Sequence, residues 1–255
     1  MSGTRSPFQR APVTDPPPCA VIVAHGQPSA PDAAEAALAS LRGLVAARMP
    51  GWDIRSATLA TAGALKRALD GQPGAIVYPM FMADGWFTKT RLPQLLRAAG
   101  ATPCRVLPPF GCGIRVHELA ARIAQDAAAA AGVRPGDCDL VLAAHGSGRS
   151  KNAARDATRI AEAIGAQVQF HRIVLGFIGQ TPRLADVARP SGRAMICLPL
   201  FAAGGAHVSD DIPAALDAAG FTGVRLGPIG LHRDVPELIA TALREALHTG
   251  VRHAI

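Results

Sequence analysis

Short runs of apolar residues alternate with longer Ala- and Leu-rich segments along this chain. The runs at 21–24 and 140–144 contain no polar residue, which is typical of strands buried on both faces of a parallel sheet. Each run is followed by a Gly-containing loop and then by a segment that predicts a long helix, at 31–48 and at 150–164. This alternation of strand and helix predicts an α/β fold.

The same order of elements is predicted in both halves of the chain. Three more strands and three more helices follow the first strand and helix of each half, and Gly100 and Gly220 are well placed to end the helix before the last strand. The further predicted strands are 53–58, 75–81 and 104–107, then 167–174, 195–201 and 223–226, and the further predicted helices are 62–70, 90–99 and 115–131, then 182–188, 210–219 and 233–247.

An internal repeat accounts for this duplication. Five landmark pairs are each separated by 120 residues: His25 and His145, Pro79 and Pro199, Gly85 and Gly205, Pro93 and Pro213, Gly100 and Gly220. The constant spacing predicts two tandem homologous modules, 19–132 and 133–255, each a doubly wound α/β unit with a four-stranded parallel sheet flanked by helices. The polar, Pro-rich residues 1–18 are expected to form a disordered leader.

The composition is that of a folded protein. The chain has 255 residues, of which 49% are hydrophobic and 18% charged, and no apolar run approaches the ~20 residues that span a bilayer. The N-terminus lacks the apolar segment of a secretory signal, so we expect no membrane association. The five cysteines form no CxxC pair, which favours the reducing cytoplasm and argues against a Cys-based metal site.

The net charge of +7 at pH 7 changes this picture little. The basic residues are dispersed and aromatic residues make up only 4% of the chain, so the pattern does not predict a nucleic-acid surface, and we expect no nucleic-acid partner. We interpret most of the arginines as a solvated surface, with some available to the carboxylates of a small ligand.

Two histidines of the second half are expected to meet at one sheet edge. His145 follows the first strand of that half and His207 follows the third, and ligands of open α/β sheets bind at the carboxyl ends of such strands. Two neighbouring imidazoles can bind a divalent metal ion or act as bases near neutral pH. The first half keeps His25, but Phe87 occupies the position that corresponds to His207.

Ser147, in the sequence His-Gly-Ser-Gly, opens two other interpretations. A hydrolase could use Ser147 with His145. The first Gly of the G-x-S-x-G motif is misplaced, however, because Ala144 and His145 stand directly before the Gly-Ser pair. The glycines could approach a phosphate, although neither GxGxxG nor GxxxxGK[ST] occurs.

Residues 145–147 and 204–213 resemble the sirohydrochlorin chelatases, class II tetrapyrrole metal chelatases, and the doubled length resembles their fused two-domain form. The resemblance implies that His145 and His207 are the catalytic residues and the metal ligands. It also implies a substrate-binding set and two secondary candidates. The set comprises Ser147, Gly204 and Gly205, with Trp86 and Phe87 as an apolar wall, and the secondary candidates are His25 and Asp211.

The family activity implied is ATP-independent insertion of Co²⁺ or Fe²⁺, with Ni²⁺ in some relatives, into a tetrapyrrole. The metal ion is then a substrate and no organic cofactor is expected, in a monomer or a homodimer. Family members carry an acidic residue after the second strand, whereas residues 179–183 contain none. Asp210 or Asp211 could substitute for it. A non-catalytic carrier of tetrapyrrole or metal is therefore the alternative to an enzyme.

Overall fold

Each half of the chain forms a parallel four-stranded sheet in the computed structural model, which describes residues 16–100, 103–147 and 152–251. The first sheet has the order β2-β1-β3-β4 and the second has the order β6-β5-β7-β8. The first-sheet strands are β1 (Cys19–Ala24), β2 (Asp53–Thr58), β3 (Ile76–Met80) and β4 (Arg105–Val106), and the second-sheet strands are β5 (Cys138–Ala144), β6 (Arg172–Phe177), β7 (Ala194–Pro199) and β8 (Val224–Arg225).

All the strand pairs of both sheets are parallel, and helices connect them. The first-half helices are α1 (Pro31–Ala46), α2 (Ala64–Leu69), α3 (Leu92–Ala98) and α4 (Ile114–Ala130), and the second-half helices are α5 (Asn152–Gln167), α6 (Leu184–Val187), α7 (Ile212–Ala218) and α8 (Val235–Val251). The predicted fold class, an α/β protein with two four-stranded parallel sheets flanked by helices, is confirmed.

One hydrophobic core joins the two sheets. Ile22 and Tyr78 of the first sheet belong to the same buried cluster as Leu140 and Leu198 of the second. Helix α4 packs against α5 and β7, and helix α8 packs against α1 and β3. The last helix of each half therefore contacts the sheet of the other half, which fixes the two sheets relative to each other.

The prediction was wrong about where α5 ends. The helix was expected to stop at Gly165, with a strand at 167–174, but α5 continues to Gln167 and β6 begins only at Arg172. Gly165 does not adopt a positive φ, so it does not act as a helix-ending residue. As a consequence His171 lies in the turn before β6 rather than within the strand.

Two π-helical turns were also missed. The helices predicted at 90–99 and 210–219 are preceded by, and merge with, π-helical turns at Phe87–Arg91 and His207–Asp211. Pro93 and Pro213 are the second residues of α3 and α7 and have no N–H with which to extend an α-helical ladder backwards. A widened turn at this point is common at functional sites.

The described residues do not include residues 1–15 of the predicted leader, Gly148, residues 150–151 of the helix predicted at 150–164, or residues 252–255 of the second predicted module. Across the part of the chain that is described, no helix combines the length and the apolar character that a membrane crossing requires.

Candidate active site

His145 stands at the carboxyl end of β5 with its ring orientation fixed by the backbone. Its Nδ1 atom lies 2.8 Å from the carbonyl oxygen of Gly146. A carbonyl oxygen only accepts hydrogen bonds, so Nδ1 carries the proton and Nε2 keeps a free lone pair. Gly146 makes this turn with φ 72°, and a Cβ atom there would lie 2.5 Å from the Gln180 side chain. Only glycine allows this close approach.

His207 is oriented in the same way by a carboxylate. It begins the second π-helical turn, and Asp211 ends that turn. The Asp211 Oδ2 atom accepts a hydrogen bond of 2.6 Å from His207 Nδ1, which leaves the Nε2 lone pair of His207 free. Carboxylates commonly orient metal-binding histidines through this bond.

The two free lone pairs face each other. His145 Nε2 and His207 Nε2 are 3.2 Å apart, and the two rings meet edge to face with their centroids 4.5 Å apart. Two acceptor nitrogens at this distance repel each other unless a proton or a metal ion lies between them. Two nitrogen ligands about 2.0 Å from one ion, at a near-tetrahedral angle, are roughly 3.3 Å apart. The histidine pair thus has the spacing of two ligands of one metal ion.

The remaining second-half candidates surround this pair. Ser147 donates its backbone N–H to Gln180 Oε1 over 2.6 Å, so the loop after β5 is tied to the loop after β6. Gly205 adopts a φ of +139°, a conformation that L-residues rarely take. A side chain on Gly204 would meet Leu231 at 3.8 Å. One ring nitrogen of His145 faces Gly146 and the other faces His207. This arrangement does not favour the use of His145 as a base for Ser147.

The first half presents an aromatic cluster at the equivalent edge. His25 repeats the orientation of His145, with Nδ1 2.9 Å from the carbonyl oxygen of Gly26. In place of a second imidazole, the Phe87 ring packs 4.3 Å from the His25 ring. Phe87 also stacks on Phe81 at 5.9 Å and contacts Trp86 at 5.0 Å. Trp86 is 58% exposed.

Loops of the two halves meet at this edge. A Cβ atom on Gly205 would lie 3.5 Å from the side-chain oxygen of Gln27, which follows β1. Reciprocally, the loop after β3 contacts α5, because the Asp84 backbone N–H donates to Asp156 Oδ2 over 2.9 Å. The candidate site is therefore assembled from both halves.

Several residues around the site were not anticipated from the sequence. Sequence reasoning places Gln180 only in a loop without an acid, and it assigns no role to Leu231 or Asp156. Leu231 is 63% exposed, but exposure of a side chain is not visible in the sequence. Asp156 is buried although it is charged, but burial is not visible in the sequence.

The thiols do not contribute to a metal site. Burial raises the pKa of Cys197 to about 12. It also raises the pKa of Cys112 to about 11, with the charges of Asp156 and Asp84 adding to the effect. The raised pKa values disfavour the thiolate form, which is the form that binds metal ions. Among the residues that the structure describes, no group of three or more His, Cys, Asp or Glu side chains could hold a metal ion, so the pair is an open site.

Comparison with known proteins agrees with this arrangement. The CbiX family profile matches residues 139–246. CbiX, the terminal enzyme for biosynthesis of siroheme in denitrifying bacteria, is 42% identical to this chain, with a TM-score of 0.82, over 90% of this chain and 99% of that one. This chain belongs to the CbiX family. The profile match lies within the half that carries His145 and His207.

More distant CbiX-like structures share the fold. SirB from Bacillus subtilis with Fe³⁺ is 19% identical, with a TM-score of 0.73, over 89% of this chain and 94% of that one. The sirohydrochlorin chelatase SirB from Bacillus subtilis subspecies spizizenii in complex with cobalt is 16% identical, with a TM-score of 0.67, over 89% of this chain and 94% of that one. No curated protein sequence matches the chain significantly.

Proposed function

We propose that this chain is a sirohydrochlorin chelatase, which inserts a divalent metal ion into the tetrapyrrole without ATP. The observation that carries the proposal is the pair of imidazole lone pairs facing each other over 3.2 Å. The 42% identity to CbiX over nearly the full length of both chains supports the same activity.

The proposed reaction exchanges one metal ion for two protons. The macrocycle loses two pyrrole N–H protons as the ion forms its bonds to the ring nitrogens. Once the ion has left them, the His145 and His207 Nε2 atoms are free to accept protons, because ligation and protonation use the same lone pair. The Asp211 carboxylate stabilises the His207 imidazolium that forms, since it already accepts the Nδ1 proton.

A delivery site should bind its ion weakly. Closed structural sites use four protein ligands, whereas the described residues here supply two imidazoles and leave the other positions open to the macrocycle. Asp211 is not the third ligand in this arrangement, because its carboxylate is bound to the opposite nitrogen of His207. We propose that it is a positioning residue, and that Co²⁺ or Fe²⁺ is the metal substrate, with no organic cofactor.

The surroundings of the pair suit a flat apolar ring with acidic edges. The Phe201 ring lies 6.4 Å from the His207 ring, Leu231 adjoins Gly204, and exposed Trp86 lies in the loop that the first half contributes. We propose that these groups contact the tetrapyrrole, together with the backbone of Ser147, Gly204 and Gly205. Its carboxylates would meet the basic surface. We further propose that a monomer or a homodimer works in the cytoplasm, which suits five free cysteines.

The direct test is metal insertion followed by absorbance. Purified protein with sirohydrochlorin and Co²⁺ or Fe²⁺ should give the spectrum of the metallated ring, and H145A and H207A should each lower kcat at least about 100-fold. The matched control is H248A, which removes an exposed histidine of α8. Turnover retained in the H145A/H207A double variant would refute the proposal.

A carrier without chelatase activity is the second candidate. The observation that favours it is Gln180, an uncharged residue that binds the Ser147 backbone in the loop where family members carry an acid. Titration of sirohydrochlorin and of Co²⁺, measured separately beside the turnover assay, separates the two functions. Stoichiometric binding without turnover would establish the carrier.

A further inference from the structure

A buried carboxylate of the second half holds the backbone of the first half. Asp156 lies on α5 and is 1% exposed, and its Oδ2 atom accepts a hydrogen bond of 2.9 Å from the backbone N–H of Asp84. One turn earlier on the same helix, Asn152 Nδ2 donates to the Asp84 carbonyl oxygen over 3.2 Å. Both polar groups of the Asp84 backbone are thus held by α5.

The side chain of Asp84 carries this contact into the π-helical turn that follows. Its Oδ1 atom accepts a hydrogen bond of 3.0 Å from Thr88, and its Oδ2 atom lies 3.1 Å from Lys89 Nζ. Trp86 lies between Asp84 and these two residues in the sequence. Four contacts therefore fix the short segment that presents the exposed indole.

These contacts are not a requirement of the module fold. The second half forms the same π-helical turn at His207–Asp211 with Gly204, which has no side chain, at the position of Asp84. The acidic residue near the start of α1, Glu35, binds the backbone and hydroxyl of Thr58 in its own half. The contact across the two halves is specific to the loop that carries Trp86.

We propose that Asp156 is a positioning residue for the tetrapyrrole, which it serves by fixing the Trp86 loop of the first half against the half that holds the metal ion. This inference rests on the proposed function, since fixing the Trp86 loop has a purpose only if the flat tetrapyrrole ring binds beside it. The negative charge of Asp156 is balanced by Arg159 at 3.3 Å and Arg155 at 3.6 Å, so its hydrogen-bond geometry, and not its net charge, performs this role.

The test measures the mobility and the solvent exposure of the Trp86 indole by fluorescence. The chain has two tryptophans, so W52F leaves Trp86 as the single reporter in the full-length protein. In that background D156A removes the acceptor, and D156N keeps an acceptor oxygen. D139N is the matched control, because Asp139 is an equally buried carboxylate of the same half that binds His171 and Arg172 instead.

D156A should lower the fluorescence anisotropy of Trp86 and increase its quenching by acrylamide. It should raise KM for sirohydrochlorin roughly three- to tenfold, with kcat changed less than about twofold, and leave Co²⁺ binding at the histidine pair unchanged. D156N should bring the Trp86 signal and KM most of the way back to their wild-type values, and D139N should change neither.

The proposal is overturned if D156A matches D139N in Trp86 anisotropy and in KM, or if D156N is as impaired as D156A. If D156A does not fold, N152A provides the same measurement, and an unchanged Trp86 signal there would also overturn it. Failure of the proposed function is distinguishable, because the wild type would then lack turnover while the Trp86 signal still reports whether α5 holds the loop.

Discussion

His207 has two ring nitrogens that serve different purposes. Nδ1 donates to Asp211 and Nε2 faces His145, so the carboxylate determines which nitrogen is available to a cation. The spacing of four residues between His207 and Asp211 puts both on one face of a helical turn. Asp210, three residues after His207, also lies on that face, so the sequence leaves the two aspartates open, and the hydrogen bond in the structure identifies Asp211 as the partner.

Replacement of Asp211 should weaken metal binding without removing a ligand. D211A frees the His207 ring to rotate and to change tautomer, and loss of such a partner commonly costs about 10- to 100-fold in metal affinity. Co²⁺ titration followed by calorimetry measures this change. D210A removes a similar charge from the same turn and should bind Co²⁺ as the wild type does. Equal losses in both variants would mean that charge, and not orientation, is what matters.

The two π-helical turns are the elements in which the halves diverge. Both begin beside a histidine that follows a central strand, but one turn begins with Phe87 and ends with Arg91, whereas the other begins with His207 and ends with Asp211. His25 is already oriented as His145 is. At the ends of this turn, the first half lacks the partner imidazole and the carboxylate that orients it.

Restoring those two residues should create a second metal site. We expect F87H/R91D to raise Co²⁺ stoichiometry from one to two ions per chain, because His25 and the new imidazole would face each other as the native pair does. F87L is the control and should leave the stoichiometry at one. A ratio of one in a double variant with native circular dichroism would contradict this interpretation.

Prediction from the sequence succeeded where strand order fixes the position of a side chain. The neighbouring positions of β5 and β7, together with the rule that ligands bind at carboxyl strand ends, were enough to bring His145 and His207 together. It failed for a contact between a helix of one half and a loop of the other, which no such rule covers. Asp156 and Asp84 are 72 residues apart, and nothing near either residue indicates that they meet. The end of α5 was missed because Gly165, a frequent helix terminator, is tolerated there within the helix.

At the scale of the whole molecule, a buried carboxylate that stabilises the fold and the candidate active site lie at opposite ends of β5 in the second sheet. Asp139 lies at the amino end of β5, and its buried carboxylate accepts bonds of 2.8 Å from His171 and 2.9 Å from Arg172. Burial raises the pKa of Asp139, but hydrogen bonds from His171 and Ser191 and the charge of Arg172 outweigh it, so the pKa lies below its ordinary value of 3.8.

The lowered pKa makes stability depend on pH in a defined direction. Asp139 contributes stability that is fully present above its unfolded-state pKa and is lost as the pH falls through the lower folded-state pKa. D139N should reduce the free energy of unfolding at pH 7 by about 2–4 kcal/mol, and the difference from wild type should shrink below pH ~4. Urea unfolding at several pH values measures it.

The control for this prediction is D137N, which removes a half-exposed carboxylate that pairs with Arg134. Exposed ion pairs contribute about 0–1 kcal/mol, so D137N should change stability little at any pH. If the free energy of unfolding of D139N stays below that of the wild type by a constant amount from neutral to acidic pH, packing and not ionisation is responsible for the difference.

Phe87 also shows what joining two modules in one chain permits. In an assembly of two identical subunits, every substitution appears in both subunits, so a sheet edge that offers two imidazoles is always accompanied by a second edge that does the same. A single chain is free of that symmetry. Here one half keeps the histidine pair, while the other half presents aromatic rings at the equivalent sheet edge. A flat ligand that bound against both edges would therefore meet a polar surface on one face and an apolar surface on the other.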